Sequence, residues 1–112
     1  MKYSITLTLL LLLISCEDNI TENAENEEFS LLFIASEGNF GSSNGSIEVF
    51  KGQEKIQTIS NVGDVIQSIL VFEDDLFVAV NNSHIIKKYD ITESGLALPG
   101  IEVSTNNSGP RE

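Results

Sequence analysis

An all-β fold is predicted for everything after residue 28, and two observations carry that expectation. Apolar residues fall in short runs rich in Val, Ile and Phe, and no window has helical spacing. Clusters of Gly, Asn, Ser and Asp separate the runs, the grammar of strands joined by turns. Strands are expected at 29–35, 46–51, 55–60, 67–72, 76–81 and 85–91, with a less regular seventh at 98–104. Three connections are short and polar: Gly52-Gln53-Glu54, Glu73-Asp74-Asp75 and residues 92–95. Antiparallel neighbours are joined in this way.

Taken in chain order, the first segment is not a strand. Met1-Lys2 is a basic start, residues 5–14 are an apolar stretch and Ser15 is small, the layout of a secretory signal peptide over residues 1–15. A membrane span needs ~20 apolar residues, and Glu17-Asp18 ends this run short of that. Leu13-Ile14-Ser15-Cys16 matches the lipobox of bacterial lipoproteins: aliphatic, variable, small, Cys. That resemblance implies lipidation of the Cys16 thiol, cleavage after Ser15 and acylation of the new amino terminus. Two or three acyl chains on one residue meet the requirement for stable anchoring. Cys16 is the one cysteine, so packing rather than a disulfide must hold the rest of the chain.

Residues 16–28 are expected to be the lipidated Cys and an acidic, disordered tether. Residues 17–28 read EDNITENAENEE, with six acids, no base and Ile20 as the one sizeable apolar group. Such a segment cannot bury enough surface to offset its ordering entropy. Acids directly after a lipidated Cys resemble the surface-export tethers of Bacteroidota lipoproteins, and a generic spacer would read the same way. The formal net charge of −11 excludes nucleic acid from the expected partners, since binding it needs clustered Lys and Arg.

The strand region repeats. Phe33-Ile34-Ala35 matches Phe77-Val78-Ala79 at an offset of 44, and Ile47-Glu48-Val49-Phe50 matches Ile86-Lys87-Lys88-Tyr89 at an offset of 39. The longer loop at 36–45, set against 82–84, accounts for the difference. Val65-Ile66-Gln67 matches Gly109-Pro110-Arg111, again at an offset of 44. A period of about 40 residues with four strands per unit predicts a β-propeller. The expected architecture is a propeller fragment of about two four-stranded antiparallel blades; the alternative is a small β-sandwich.

The motifs carry a family resemblance. Glu37-Gly38-Asn39-Phe40-Gly41-Ser42 and Asn44-Gly45-Ser46 are followed by Gly63-Asp64-Val65, Gln67-Ser68, Asn81-Asn82-Ser83 and Gly109-Pro110-Arg111. Together these resemble the start of a YVTN/YncE-type β-propeller surface lipoprotein of Bacteroidota, with a departure at Ile66, where that family usually has proline. The resemblance covers nearly everything after the tether. It implies a first blade at 29–60 lacking its innermost strand, a whole second blade at 67–104 and the start of a third at 105–112. It also implies that the chain is the amino-terminal part of a truncated or incomplete gene product.

If strand 67–72 is innermost, loops 36–45, 61–66, 82–84 and 105–110 share one face, and long loops on a rigid scaffold are where function concentrates. Asn39, Phe40, Asn44, Asp64, Gln67, Asn81, Asn82 and Arg111 are the ligand-binding candidates there: amides and a carboxylate for hydrogen bonds, an aromatic for stacking. Gly, Asn and Asp are also plain turn-formers. No catalytic residues, cofactor or metal are expected. His84 is the one histidine, and Glu73-Asp74-Asp75 lacks the alternating spacing of a calcium loop. Gly38, Gly41 and Gly45 lack the Lys-Ser/Thr of a phosphate loop.

The expected function is a binding module, lipid-anchored in the outer membrane and exposed at the cell surface or on the periplasmic face. It would capture a small molecule or glycan for an outer-membrane transporter. The alternatives are a propeller enzyme of lactonase or quinoprotein type, or a truncated product without function. The anchor is the part most directly tested. Metabolic labelling with a palmitate analogue should mark the wild-type chain and not Cys16→Ala; equal labelling of both removes the anchor.

Overall fold

A computed structural model describes residues 30–112; Cys16, the signal segment, the acidic tether and Phe29 lie outside the described residues. The alternating apolar runs fold as eight strands among the described residues. They are β1 (Leu31–Ser36), β2 (Ser46–Lys51), β3 (Glu54–Ile59), β4 (Ile66–Phe72), β5 (Asp75–Val80), β6 (Ile85–Thr92), β7 (Gly95–Leu96) and β8 (Ile101–Ser104). Every pairing is antiparallel. Sheet one has the order β1-β2-β3; sheet two has the order β4-β5-β6-β7, with β8 also paired to β6. The fold is all-β, and two such sheets are compatible with a propeller fragment or a sandwich.

The polar connections are hairpin turns. Lys51 pairs with Glu54, Phe72 with Asp75 and Thr92 with Gly95, leaving two residues in each turn. Positive φ at Gly52 (61°) and Glu73 (53°) suits the right-handed twist of the strands they join.

One expected element differs. The strand anticipated at 98–104 begins only at Ile101, and a separate two-residue strand, Gly95-Leu96, lies ahead of it. The two pair with opposite ends of β6, Gly95-Leu96 with Ile91-Thr92 and Ile101–Ser104 with Ile85–Lys88. Sheet two therefore has five strands rather than four. The chain leaves the ladder between them because Pro99 has no N–H to give it. Gly95, expected in a turn, opens β7.

Side chains alternate across a strand, so the register assigns each residue to a face. On sheet one, Phe33 pairs with Val49 and Ala35 with Ile47, and this face is turned to sheet two. On sheet two, Leu76 pairs with Tyr89, Val78 with Lys87 and Val80 with Ile85. Ile47, Val49, Leu76, Val78, Val80 and Tyr89 are the largest fully buried side chains, and they form one core between the sheets. Burial pushes the Tyr89 phenol above its ordinary pKa.

The repeat is structural as well as sequential. Just before β2, the Gly45 carbonyl accepts from Val62 N at 2.8 Å; just before β6, the His84 carbonyl accepts from Thr105 N at 2.8 Å. Ile66 N donates to the Glu37 carbonyl at 3.3 Å. The offset of 44 carries this pair onto Pro110 and Asn81. Proline has no N–H, and there Asn81 Nδ2 donates instead to the carbonyls of Gly109 (3.0 Å) and Pro110 (3.2 Å).

An amide clamp joins the sheets at their outer edge. Leu96 N donates to Gln57 Oε1 at 2.7 Å, and Gln57 Nε2 donates to the Leu96 carbonyl at 2.9 Å. The Gln57 side chain thus pairs with β7 as a strand backbone would. A Cβ at Gly95, whose φ is +122°, would strike the same amide. Gln57→Ala should cost ~1–3 kcal/mol, since it strands two half-buried backbone groups. Gly95→Ala should also destabilise, through strained φ and collision with Gln57. In urea unfolding the double variant should lose less than the sum of the two singles, because the truncated side chain no longer collides. Strict additivity would mean that the clamp does not set the spacing of these strands.

Candidate functional site

Loops rich in Gly, Asn and Ser converge at one end of the sheets, and Asp64 is the group that ties them. Its side chain is 6% exposed. Gly41 N donates to Asp64 Oδ1 (2.9 Å) and Oδ2 (3.0 Å), and Asn82 Nδ2 donates to Oδ2 at 2.6 Å. The Asp64 backbone is held as well: its N donates to Ser83 Oγ at 2.8 Å, and its carbonyl accepts from Asn82 N at 3.1 Å. One residue therefore binds the loop before β2 to the loop before β6.

The first loop is also closed on itself. Asn44 Oδ1 accepts from Asn39 N at 2.7 Å, and Gly45 N donates to the Gly63 carbonyl at 2.9 Å. Gly38 is required there: its φ is +82°, and a Cβ would lie 2.6 Å from both Asn44 Oδ1 and Gly45 N. The last loop docks on the one before it, where Gly109 N donates to His84 Nδ1 at 3.1 Å.

The eight candidate residues divide into two groups. Asn44, Asp64, Asn81 and Asn82 spend side-chain atoms on bonds within and between the loops. Asn39, Phe40, Gln67 and Arg111 are exposed, Phe40 at 80%. Gln67 lines a groove of about 370 Å³ between β1 and β4, whose walls include Phe33, Ile34, Ile66, Ser68 and Ile69. The Gln67 amide and the Ser68 hydroxyl are its polar side chains, and its open lining is as polar as it is apolar.

Sequence reasoning missed Ser83 and His84 as participants. The signal was present in the run Asn81-Asn82-Ser83-His84, which follows directly after an apolar strand. Its four side chains all face hydrogen-bond work between loops. Among the described residues no group of three or more His, Cys, Asp or Glu is placed to hold a metal ion.

Asp64→Ala would orphan the Gly41 N–H and the Asn82 amide, at a cost of ~1–3 kcal/mol. Asp64→Asn keeps one acceptor and should fall between Ala and wild type. Hydrogen exchange at the Gly41 amide should speed up in the same order; unchanged exchange in Asp64→Ala would show that the loop does not depend on this carboxylate. No protein-family model matches the chain, and a search of curated proteins gave no match.

Proposed function

We propose that the chain is a surface-exposed, lipid-anchored binding module of β-propeller type that captures a glycan or small molecule, feeding an outer-membrane transporter. One observation supports this reading above the others. The loop at 37–45 is held by Asp64 on Gly41 and by its own Asn39–Asn44 bond, yet it presents Phe40 to water at 80% exposure. A mobile loop with an exposed aromatic would fold the ring away. A fixed loop keeps it presented, and its ordering cost is met before a ligand arrives.

Phe40 supplies an apolar face on which a sugar ring stacks, and Asn39 beside it supplies hydrogen bonds. The groove holding Gln67 takes a small apolar substituent of the same ligand class. The internal repeat, with the Val62–Gly45 loop bond matched by Thr105–His84 at offsets of 43 and 39, supports stacked blades over a closed two-layer sandwich. Acids immediately after Cys16 repel anionic headgroups and suit a module held away from the membrane.

A glycan array probed with the full chain in detergent tests the reading. Binding to one glycan class should appear with the wild type and fall at least about tenfold with Phe40→Ala, the ~1.4 kcal/mol that one stacking contact is worth. The variant should unfold close to the wild-type urea midpoint, because Phe40 is 80% exposed. No retained glycan, or equal retention by Phe40→Ala, would overturn it.

A further inference from the structure

The two sheet faces turned away from the shared core are counterparts of the faces inside it. The offset of 44 carries Leu32 and Ile34, which point away from sheet two, onto Leu76 and Val78, which are fully buried. The same offset carries Phe33 and Ala35, which face sheet two, onto Phe77 and Ala79, which point away from sheet one. The offset of 39 behaves alike: outward Phe50 corresponds to buried Tyr89, and buried Ile47 to outward Ile86. What sheet one leaves open is what sheet two buries; in the reverse direction Ile86 is open and Phe77 half-buried, while Ala79 is already buried.

Both open faces are apolar. Leu32 is 55% and Ile34 43% exposed on one; Ile101 is 59% and Val103 60% exposed on the other. We propose that these faces are a self-docking surface. The outward face of sheet one in one copy seats on the outward face of sheet two in a second copy, in the packing that the two sheets of a single copy already use. The contact is heterologous, so each added copy leaves one face of each kind open. Growth ends when a ring closes and otherwise continues as a filament.

The correspondence departs at one corner, where Leu31 and Val49 of the core match Asp75 and Lys88. Those charges are satisfied before docking: Lys88 Nζ lies 2.9 Å from Asp75 Oδ1 and 2.8 Å from Asp90 Oδ1. On the opposing face Glu48 is paired with Lys55 at 2.9 Å. Neither face brings an unpaired charge from these residues into the contact. The chain's net charge of −11 opposes self-association at long range. Added salt therefore strengthens the contact, the reverse of what an ion-pair interface does.

Cross-linking in expressing cells tests this on the full chain. Two tagged copies are co-expressed, one carrying Ile34→Cys and the other Ile86→Cys; the wild type, with Cys16 alone, sets the background. Their sequence counterparts, Val78 and Ile47, belong to one buried cluster between the sheets. Stacked sheets lie ~10 Å apart, too far for a direct disulfide and within the span of a short bismaleimide. The bismaleimide should give a mixed dimer from the pair, none above background from Ile34→Cys alone, and a ladder from a chain carrying both. The yield in lysates should rise with added sodium chloride. An equal Ile34–Ile34 product would mean that like faces meet, and no mixed product would mean that other material covers these faces; either result overturns the proposal.

Discussion

The structure depends on face-to-face burial of one sheet by the other. A three-stranded sheet has too little area to hold itself together, and its apolar face needs a second layer. Ile47 and Val49 from sheet one meet Leu76, Val78, Val80 and Tyr89 from sheet two, and these are the residues fully withdrawn from water. At roughly 25 cal/mol per Å², this apolar contact is the largest favourable contribution available to the fold. The polar contacts between sheets then fix register and spacing. Gln57 does so at the outer edge by presenting an amide where a strand would present its backbone.

At the loop end the same task falls to a buried carboxylate. Asp64 is withdrawn from water with no cationic partner among the described residues, and the donors on it are backbone and side-chain amides. Burying a carboxylate is costly unless its oxygens are hydrogen-bonded. The loops answer that cost by closing on Asp64, which is why loop order and carboxylate burial stand or fall together. Val65, next in the chain, has φ +63°, a left-handed conformation unfavourable for a β-branched residue. It is held there because Asp64 is fixed on one side and the Val65 carbonyl accepts from Asn81 N at 2.8 Å on the other. Lys88 plays a lesser part on the outer face. Its hydrogen bonds to Asp75 and then Asp90 raise its ammonium above the ordinary lysine range, and Lys88 in turn lowers the Asp90 carboxyl.

Strands were readable in the sequence wherever two-residue alternation met turn formers at both ends. β2, β4 and β5 fall within a residue of expectation for that reason. The split outer strand was not readable. Two and four residues are too short for a period to register, and Gly95 reads as a turn because its strand role comes from a distant side chain, Gln57. The clamp joins residues 39 apart in sequence, and nothing local marks it. At the loop end, composition marked loops that the structure joins by hydrogen bonds, since Gly, Asn and Asp are needed wherever φ turns positive and side chains must bond nearby backbone. Composition does not tell which amides face inward. Asn81 and Asn82 look equivalent in sequence, yet one reaches the last loop and the other reaches Asp64.

That division bears on what the motifs mean. Gly38, Gly41, Asn44, Gly45, Asp64, Asn81, Asn82 and Ser83 each have a geometric reason to be what they are: a positive φ, a close approach or a loop-to-loop bond. A resemblance resting on these positions therefore reports how loops are joined between sheets, and proteins with unrelated ligands would share it. In the binding reading proposed above, ligand choice would rest on side chains that loop closure leaves unused. Phe40 is the plainest of these, an aromatic side chain 80% exposed on a loop whose backbone is held by Asp64. Under that reading, the exposed ring is the group the loop would offer to a ligand.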